Sequence, residues 1–134
     1  MAAAPEAGRS TITTLTKRRE FLAASRALRW AAPSLNLQAR PRDAAEPHTG
    51  VRVGFTCSKK VGNAVARNRA KRRLRAAAAQ VLPRLGVPGW DYVLIGKADV
   101  TAARPFPLLL DDLAAAIEKL HARARPGAVA PAAP

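Results

Sequence analysis

The chain is poor in the residues that hold metals or form cross-links: of its 134 residues one is cysteine, Cys57, and two are histidine, His48 and His121. A single thiol excludes an intramolecular disulfide, and one Cys with two well-separated histidines is too small a donor set for a structural zinc. Cys57 is expected to be a small buried apolar side chain on a strand, not a reactive thiol. Aromatic mass is also scarce, at three Phe, two Trp and one Tyr, while 31 residues are alanine, so the apolar half of the composition supports one small core and one domain. No stretch approaches the roughly 20 apolar residues of a spanning helix. No segment has the basic, apolar, small-residue order of a signal peptide, and the expected setting is cytoplasmic with no membrane partner.

Acidic residues are the deficit with the largest consequence. Nine Asp or Glu face 23 Lys or Arg, a formal net charge of +14. Such a field attracts phosphates and releases their counterions on contact, which points to nucleic acid.

Residues 1–14 and 126–134, rich in Ala, Pro and Gly, are expected to be disordered tails around a domain at 15–125. The pattern between them predicts helix, strand, strand, helix, strand, helix. Phe21, Ala24 and Leu28 recur at helical spacing over Lys17–Leu28, with Thr16 as cap. Leu35 and Leu37 alternate with Asn36 and Gln38, a half-buried strand, and Pro41 to Gly50 is a loop. In VRVGFTC, Val51, Val53, Phe55 and Cys57 point one way and Arg52, Gly54 and Thr56 the other. Asn63 can cap a helix from Ala64 to about Leu82, where Pro83 is expected to stop it. WDYVLI, from Trp90 to Ile95, reads as a central strand. A last helix starts near Pro107 and buries Leu109, Leu113, Ile117 and Leu120.

The helix after Asn63 is the most informative segment. Between Pro47 and Trp90 there are ten Lys or Arg and no acid, and six of the cations fall in RNRAKRRLR, Arg67 to Arg75. At about 100° per residue, Ala66, Ala70, Leu74, Ala77 and Val81 share one side and Asn68, Arg69, Lys71, Arg72 and Arg75 the other, with Arg67 and Arg73 at the borders. A merely solvated face mixes Glu with Lys for intrahelical pairs, whereas an acid-free array costs helix stability unless phosphates neutralise it. Asn68 can organise its neighbours or contact a 2′-hydroxyl or base edge. A DNA-reading helix-turn-helix is disfavoured because this helix lies between strands. The acids Asp91, Asp99, Asp111 and Asp112 are scattered, so no constellation for unaided hydrolysis is present.

The segment RVGFTCSKKVGNAVARNRAKRRLR, Arg52 to Arg75, closely resembles the signature of the bacterial ribonuclease P protein: an R-V-G strand leading into S-K-K-x-G-x-A-V-x-R-N-R-x-K-R. KRREF, Lys17 to Phe21, resembles the first helix of that family, and the resemblance extends over roughly residues 15–124. It implies an α+β fold, an α/β sandwich in which a small mixed sheet packs against helices, with a left-handed β-α-β crossover that the usual handedness rule excludes. It further implies the protein subunit of an endoribonuclease whose catalytic RNA, with Mg2+, removes the 5′ leader from precursor tRNA. The protein alone is then inactive and binds no cofactor of its own. The RNA-facing residues become Lys59, Lys60, Arg67, Asn68, Arg69, Lys71, Arg72, Arg73 and Arg75, and the leader cleft Phe21, Asn36 and Gln38. Phe21 has two readings, a ring that stacks a leader base or a plain core residue. Many members of the family carry a second aromatic one turn later where this chain has Ser25, which implies weaker stacking. The alternative to the whole reading is a noncatalytic ribosomal or general RNA-binding module; a stand-alone metal-dependent nuclease lacks the acidic cluster it needs.

Overall fold

A computed structural model of the chain describes residues 12–43, 45–46 and 49–124. Residues 1–11 and 126–134 of the expected tails, together with His48 and residue 125, lie outside them. The elements are β1 (Ile12–Thr14), α1 (Arg18–Ser25), β2 (Leu28–Ala31), β3 (Leu35–Pro41), β4 (Val51–Cys57), a 3₁₀ turn (Lys59–Val61), α2 (Ala64–Leu85), β5 (Trp90–Gly96), α3 (Val100–Ala103) and α4 (Phe106–Ala124). One mixed sheet has the strand order β1-β4-β5-β3-β2. β4 is parallel to both β1 and β5, and β3 is antiparallel to β5 and β2, so β4-α2-β5 is a β-α-β crossover between neighbouring strands.

The alternation read in the strands sorts side chains onto two faces. Leu35, Leu37 and Ala39 of β3, Val51 and Val53 of β4 and Tyr92 and Leu94 of β5 join Leu74, Ala77 and Val81 of α2 and Leu109, Leu113, Ile117 and Leu120 of α4 in the main core. The opposite face carries α1, whose Ala24 packs with Leu15 and Val93, flanked by Phe21 and Ile95. The fold is thus a sheet between two helices on one side and a short helix on the other.

Several boundaries differ from expectation, each for a local reason. Ile12–Thr14, within the expected tail, is an edge strand held in parallel register to Val51–Val53. Leu28 belongs not to α1 but to the edge strand β2, because Leu28 and Trp30 turn to the core while Arg29 and Ala31 stay exposed. Lys17, not Thr16, caps α1: its backbone N–H donates to the Glu20 carboxylate at 3.2 Å. Pro83 does not stop α2, which runs on to Leu85. The carbonyl that Pro83 cannot satisfy is that of Ala79, an exposed residue open to water, and the helix ends instead where the Gly86 N–H donates to the Leu82 carbonyl at 2.8 Å. The one-turn helix α3 carried no periodic signal.

Candidate nucleic-acid interface

On the α1 face, a cleft of about 550 Å³ opens between the helix and the sheet, walled by Phe21, Leu22 and Ser25 of α1 and floored by Gln38, Thr56, Val93 and Ile95. Phe21 and Ser25 are four residues apart and therefore share a helix face. Gln38 pairs in register with Val93 and Asn36 with Ile95, so both amides lie on the cleft side of β3. Asn36 continues the cleft into a smaller recess of about 230 Å³ beside Arg29. Phe21 combines its two readings: it is half-buried against Leu15, Ala24 and Val93, yet its ring forms part of the cleft wall. The ring comes down to the sheet only because residue 54 is glycine; a Cβ there would overlap the ring edge and touch Leu15.

At the other end of the same face the charges are paired. Arg40, Asp91 and Arg52 form a cross-strand row on β3, β5 and β4. The fully buried Asp91 carboxylate accepts from Arg42 Nη1 and Arg52 Nε at 2.7 Å each and from Arg40 Nε at 3.1 Å. Arg52 also reaches Glu20 of α1 at 2.7 Å, and Arg40 holds Glu46 at 2.7 Å. Burial pushes the Asp91 carboxyl up, but the hydrogen bonds from Arg52 and Arg42 outweigh it and hold the group below its usual range. The Arg40 fork holds the Glu46 carboxyl down to about 2. The sequence placed Arg52 on this face but gave no sign of its partners Glu20 and Asp91, which lie 32 and 39 residues away.

The basic helix presents its cations as the projection expected. Asn63 caps it, its side-chain oxygen accepting from the Ala66 N–H at 3.0 Å. Asn68, Arg69, Arg72 and Arg75 are exposed, Arg67 and Lys71 partly so, and Lys60 is exposed in the 3₁₀ turn that also holds Lys59. Two residues depart from the expected roles. Arg73 is tied inward, donating to the carbonyls of Thr101 (3.0 Å) and Arg104, with its guanidinium 5.8 Å from the Phe106 ring centroid. Cys57 is half-buried, its Sγ 3.7 Å from the Arg67 carbonyl, because it ends β4 at the sheet margin. Thr56 lines the cleft without being among the expected site residues, although the β4 alternation signals its side of the sheet. Among the described residues no His, Cys, Asp and Glu side chains gather into a metal-holding group, and no helix is long and apolar enough to cross a membrane.

A family model described as Ribonuclease P matches residues 11–121, from the start of the sheet almost to the end of α4. The chain belongs to the ribonuclease P protein family. It is 66% identical over 113 residues to the ribonuclease P protein component of Ruegeria pomeroyi, covering 84% of this chain and 90% of that one. With the component of Paramagnetospirillum magneticum the identity is 49% over 125 residues, covering 87% and 93%. The solved ribonuclease P protein of Thermotoga maritima superposes with a TM-score of 0.64 at 20% identity, covering 79% of this chain and 96% of that one. That of Staphylococcus aureus gives 0.61 at 20%, covering 79% and 93%. At that identity the structures establish the shared fold, an α+β sandwich, and family membership makes ribonuclease P RNA the partner.

Proposed function

We propose that the protein is the RNA-binding subunit of ribonuclease P, which assists a catalytic RNA in endonucleolytic removal of the 5′ leader from precursor tRNA. The observation that carries the reading is the pairing of an acid-free basic helix face with a polar and aromatic cleft on the other side of one sheet. Arg67, Asn68, Arg69, Lys71, Arg72 and Arg75 bind the RNA backbone and screen phosphate repulsion. Phe21 stacks a leader base, while Asn36 and Gln38 hydrogen-bond to base edges or 2′-hydroxyls. β4 joins the two surfaces, running from the cleft floor at Thr56 directly into Lys59, Lys60 and the start of α2. Magnesium held by the RNA supplies the Lewis-acid chemistry of cleavage. The protein's part is to bind and orient, in a cytoplasmic enzyme.

Reconstitution tests this. The isolated protein leaves precursor tRNA intact, and adding a bacterial ribonuclease P RNA at moderate salt gives cleavage faster than that RNA alone. Protein-only turnover at a comparable rate, or no effect of the protein on the RNA reaction, refutes the proposal.

A further inference from the structure

A second cavity, of about 430 Å³, lies between the start of α2 and the β5–α3 turn, beside the exposed Asn68–Arg69 face. Its apolar walls are Val61, Val65, Ala66, Ala70 and Ala102, and Asn63, Arg69, Asp99 and Lys97 also line it, the Lys97 ammonium donating to the Ala32 carbonyl at 2.6 Å. Val65 is 76% exposed, and Val100, which follows Asp99, is 40% exposed. On a strongly cationic surface, apolar side chains held in water mark a contact made by something other than phosphate.

Asp99 is the unusual member. It alone among the described non-glycine residues has positive φ, at φ 62° and ψ −44°. The Val100 N–H closes onto the Ala98 carbonyl at 2.6 Å, so Asp99 is the central residue of a γ-turn of the rare, strained hand. Its carboxylate makes no cap or other hydrogen bond and no ion pair among the described residues. An unpaired acid beside Arg69 repels phosphate, so a group that reaches it must bring hydrogen-bond donors. A carboxylate accepts two parallel donors well. Among the RNA bases only guanine offers N–H groups on adjacent N1 and N2; adenine and cytosine offer one amino group and uracil one imino group.

We propose that this cavity holds an unpaired guanine of the RNA bound by the basic helix, with Asp99 accepting from its N1–H and N2–H, Val61 and Val65 against the base, and Arg69 at the adjoining phosphate. The site rests on the RNA-binding reading and adds base-specific recognition to it.

The test is kethoxal probing, which modifies guanine at N1 and N2, on an intact bacterial ribonuclease P RNA with the full chain bound. Wild-type protein protects an unpaired guanine next to the backbone footprint of the basic helix. Asp99→Asn and Asp99→Gly both expose that guanine while the backbone footprint stays. Glycine suits the positive φ and keeps the turn, so the loss is not one of folding. Affinity falls about tenfold in both variants, as expected when a bidentate pair of hydrogen bonds to a base is removed, with an unchanged salt slope. A backbone footprint with no guanine that depends on Asp99, or tighter binding by Asp99→Asn as expected for an acid that only repels RNA, overturns the pocket assignment and leaves the RNA-binding reading standing. Absence of any wild-type footprint overturns both.

Discussion

Gly54→Ala tests whether the leader cleft is shaped by the meeting of one ring with one strand residue. The backbone of residue 54 does not have the positive φ found at Gly50, Gly62 and Gly89, so alanine is acceptable to the main chain. The new methyl group, however, overlaps the edge of the Phe21 ring and comes close to Leu15. Overpacking of this kind costs about 1–3 kcal/mol, offset by roughly 0.5–1 kcal/mol from replacing a mid-strand glycine. A net loss of about 1–2 kcal/mol is expected, or on the order of 4–8 °C in Tm per kcal/mol for a domain of this size. Phe21→Ala alone loses a half-buried ring, about half of the roughly 3–5 kcal/mol for a fully buried one. In that background the ring overlap is gone and only the approach to Leu15 is left, so Gly54→Ala keeps its glycine-replacement gain, and urea denaturation of the two single variants and the double variant gives a favourable coupling equal to the overlap cost, about 1–3 kcal/mol. The ring displaced by Gly54→Ala also leaves the cleft wall, so precursor tRNA binding to the reconstituted enzyme weakens while mature tRNA binding holds. Strict additivity of the two substitutions, or a Gly54→Ala protein with wild-type stability and precursor affinity, would refute the reasoning.

Arg67→Ala, Arg69→Ala and Arg72→Ala each weaken RNA association and lower its salt slope by about one unit for each phosphate no longer neutralised; unchanged affinity and slope in all three, read by titration across salt, would make the helix a solvated face. Phe21→Ala weakens holoenzyme binding of precursors with several leader nucleotides by up to about 1–3 kcal/mol, and the difference from mature tRNA vanishes as the leader is shortened. Ser25→Phe, which adds a ring one turn along the same cleft wall, tightens precursor binding in the same assay. Stability falls at acid pH in two stages that calorimetry across pH resolves. His121, whose burial lowers its pKa from 6.5, stays neutral in the fold while the unfolded chain takes up a proton, so stability declines as pH drops below 6.5. Glu46, held at about 2 against an ordinary 4.5, contributes stability above pH 4.5 that is lost as pH falls through about 2; Asp91, also held below its usual range, adds to the same acid stage, so Glu46→Gln reduces that stage without abolishing it.

Legibility in the sequence followed the range of the interactions. The α2 cap at Asn63, the buried stripe through Ala70, Leu74, Ala77 and Val81, and the alternation that put Asn36 and Gln38 on one face are local patterns, and all appear in the fold. β1 and β2 are not local: each is a short edge strand that exists because a neighbour already offers a ladder, β4 for Ile12–Thr14 and β3 for Leu28–Ala31. The cleft was legible as residues but not as a shape, since nothing near Gly54 in sequence announces a ring arriving from α1. Asp91 looked like one scattered acid because its three arginines lie 39 to 51 residues away. The γ-turn at Asp99 had no signal, because aspartate is common in ordinary turns as well.

That ionic cluster also changes what the net charge means. Arg40, Arg42 and Arg52 stand against Asp91, Glu46 and Glu20, so three cations and three acids cancel within one packed group. Arg104 and Asp112 cancel likewise, at 2.9 Å. Four of the nine acids are thus consumed by structural arginines, and the formal charge of +14 lies on the residues outside these pairs. What remains includes the exposed cations of α2, with no carboxylate in the same segment to offset them, and Arg18, Arg19, Arg26 and Arg29 along α1 and β2 beside the cleft. Removing Asp91 would leave buried arginines uncompensated, which typically costs about 3–5 kcal/mol. The cluster therefore fixes α1 through Arg52 and Glu20, and so sets one wall of the cleft. It also holds Glu20 and Asp91 buried beneath the cleft face, away from the exposed cations Arg18, Arg19, Arg26 and Arg29.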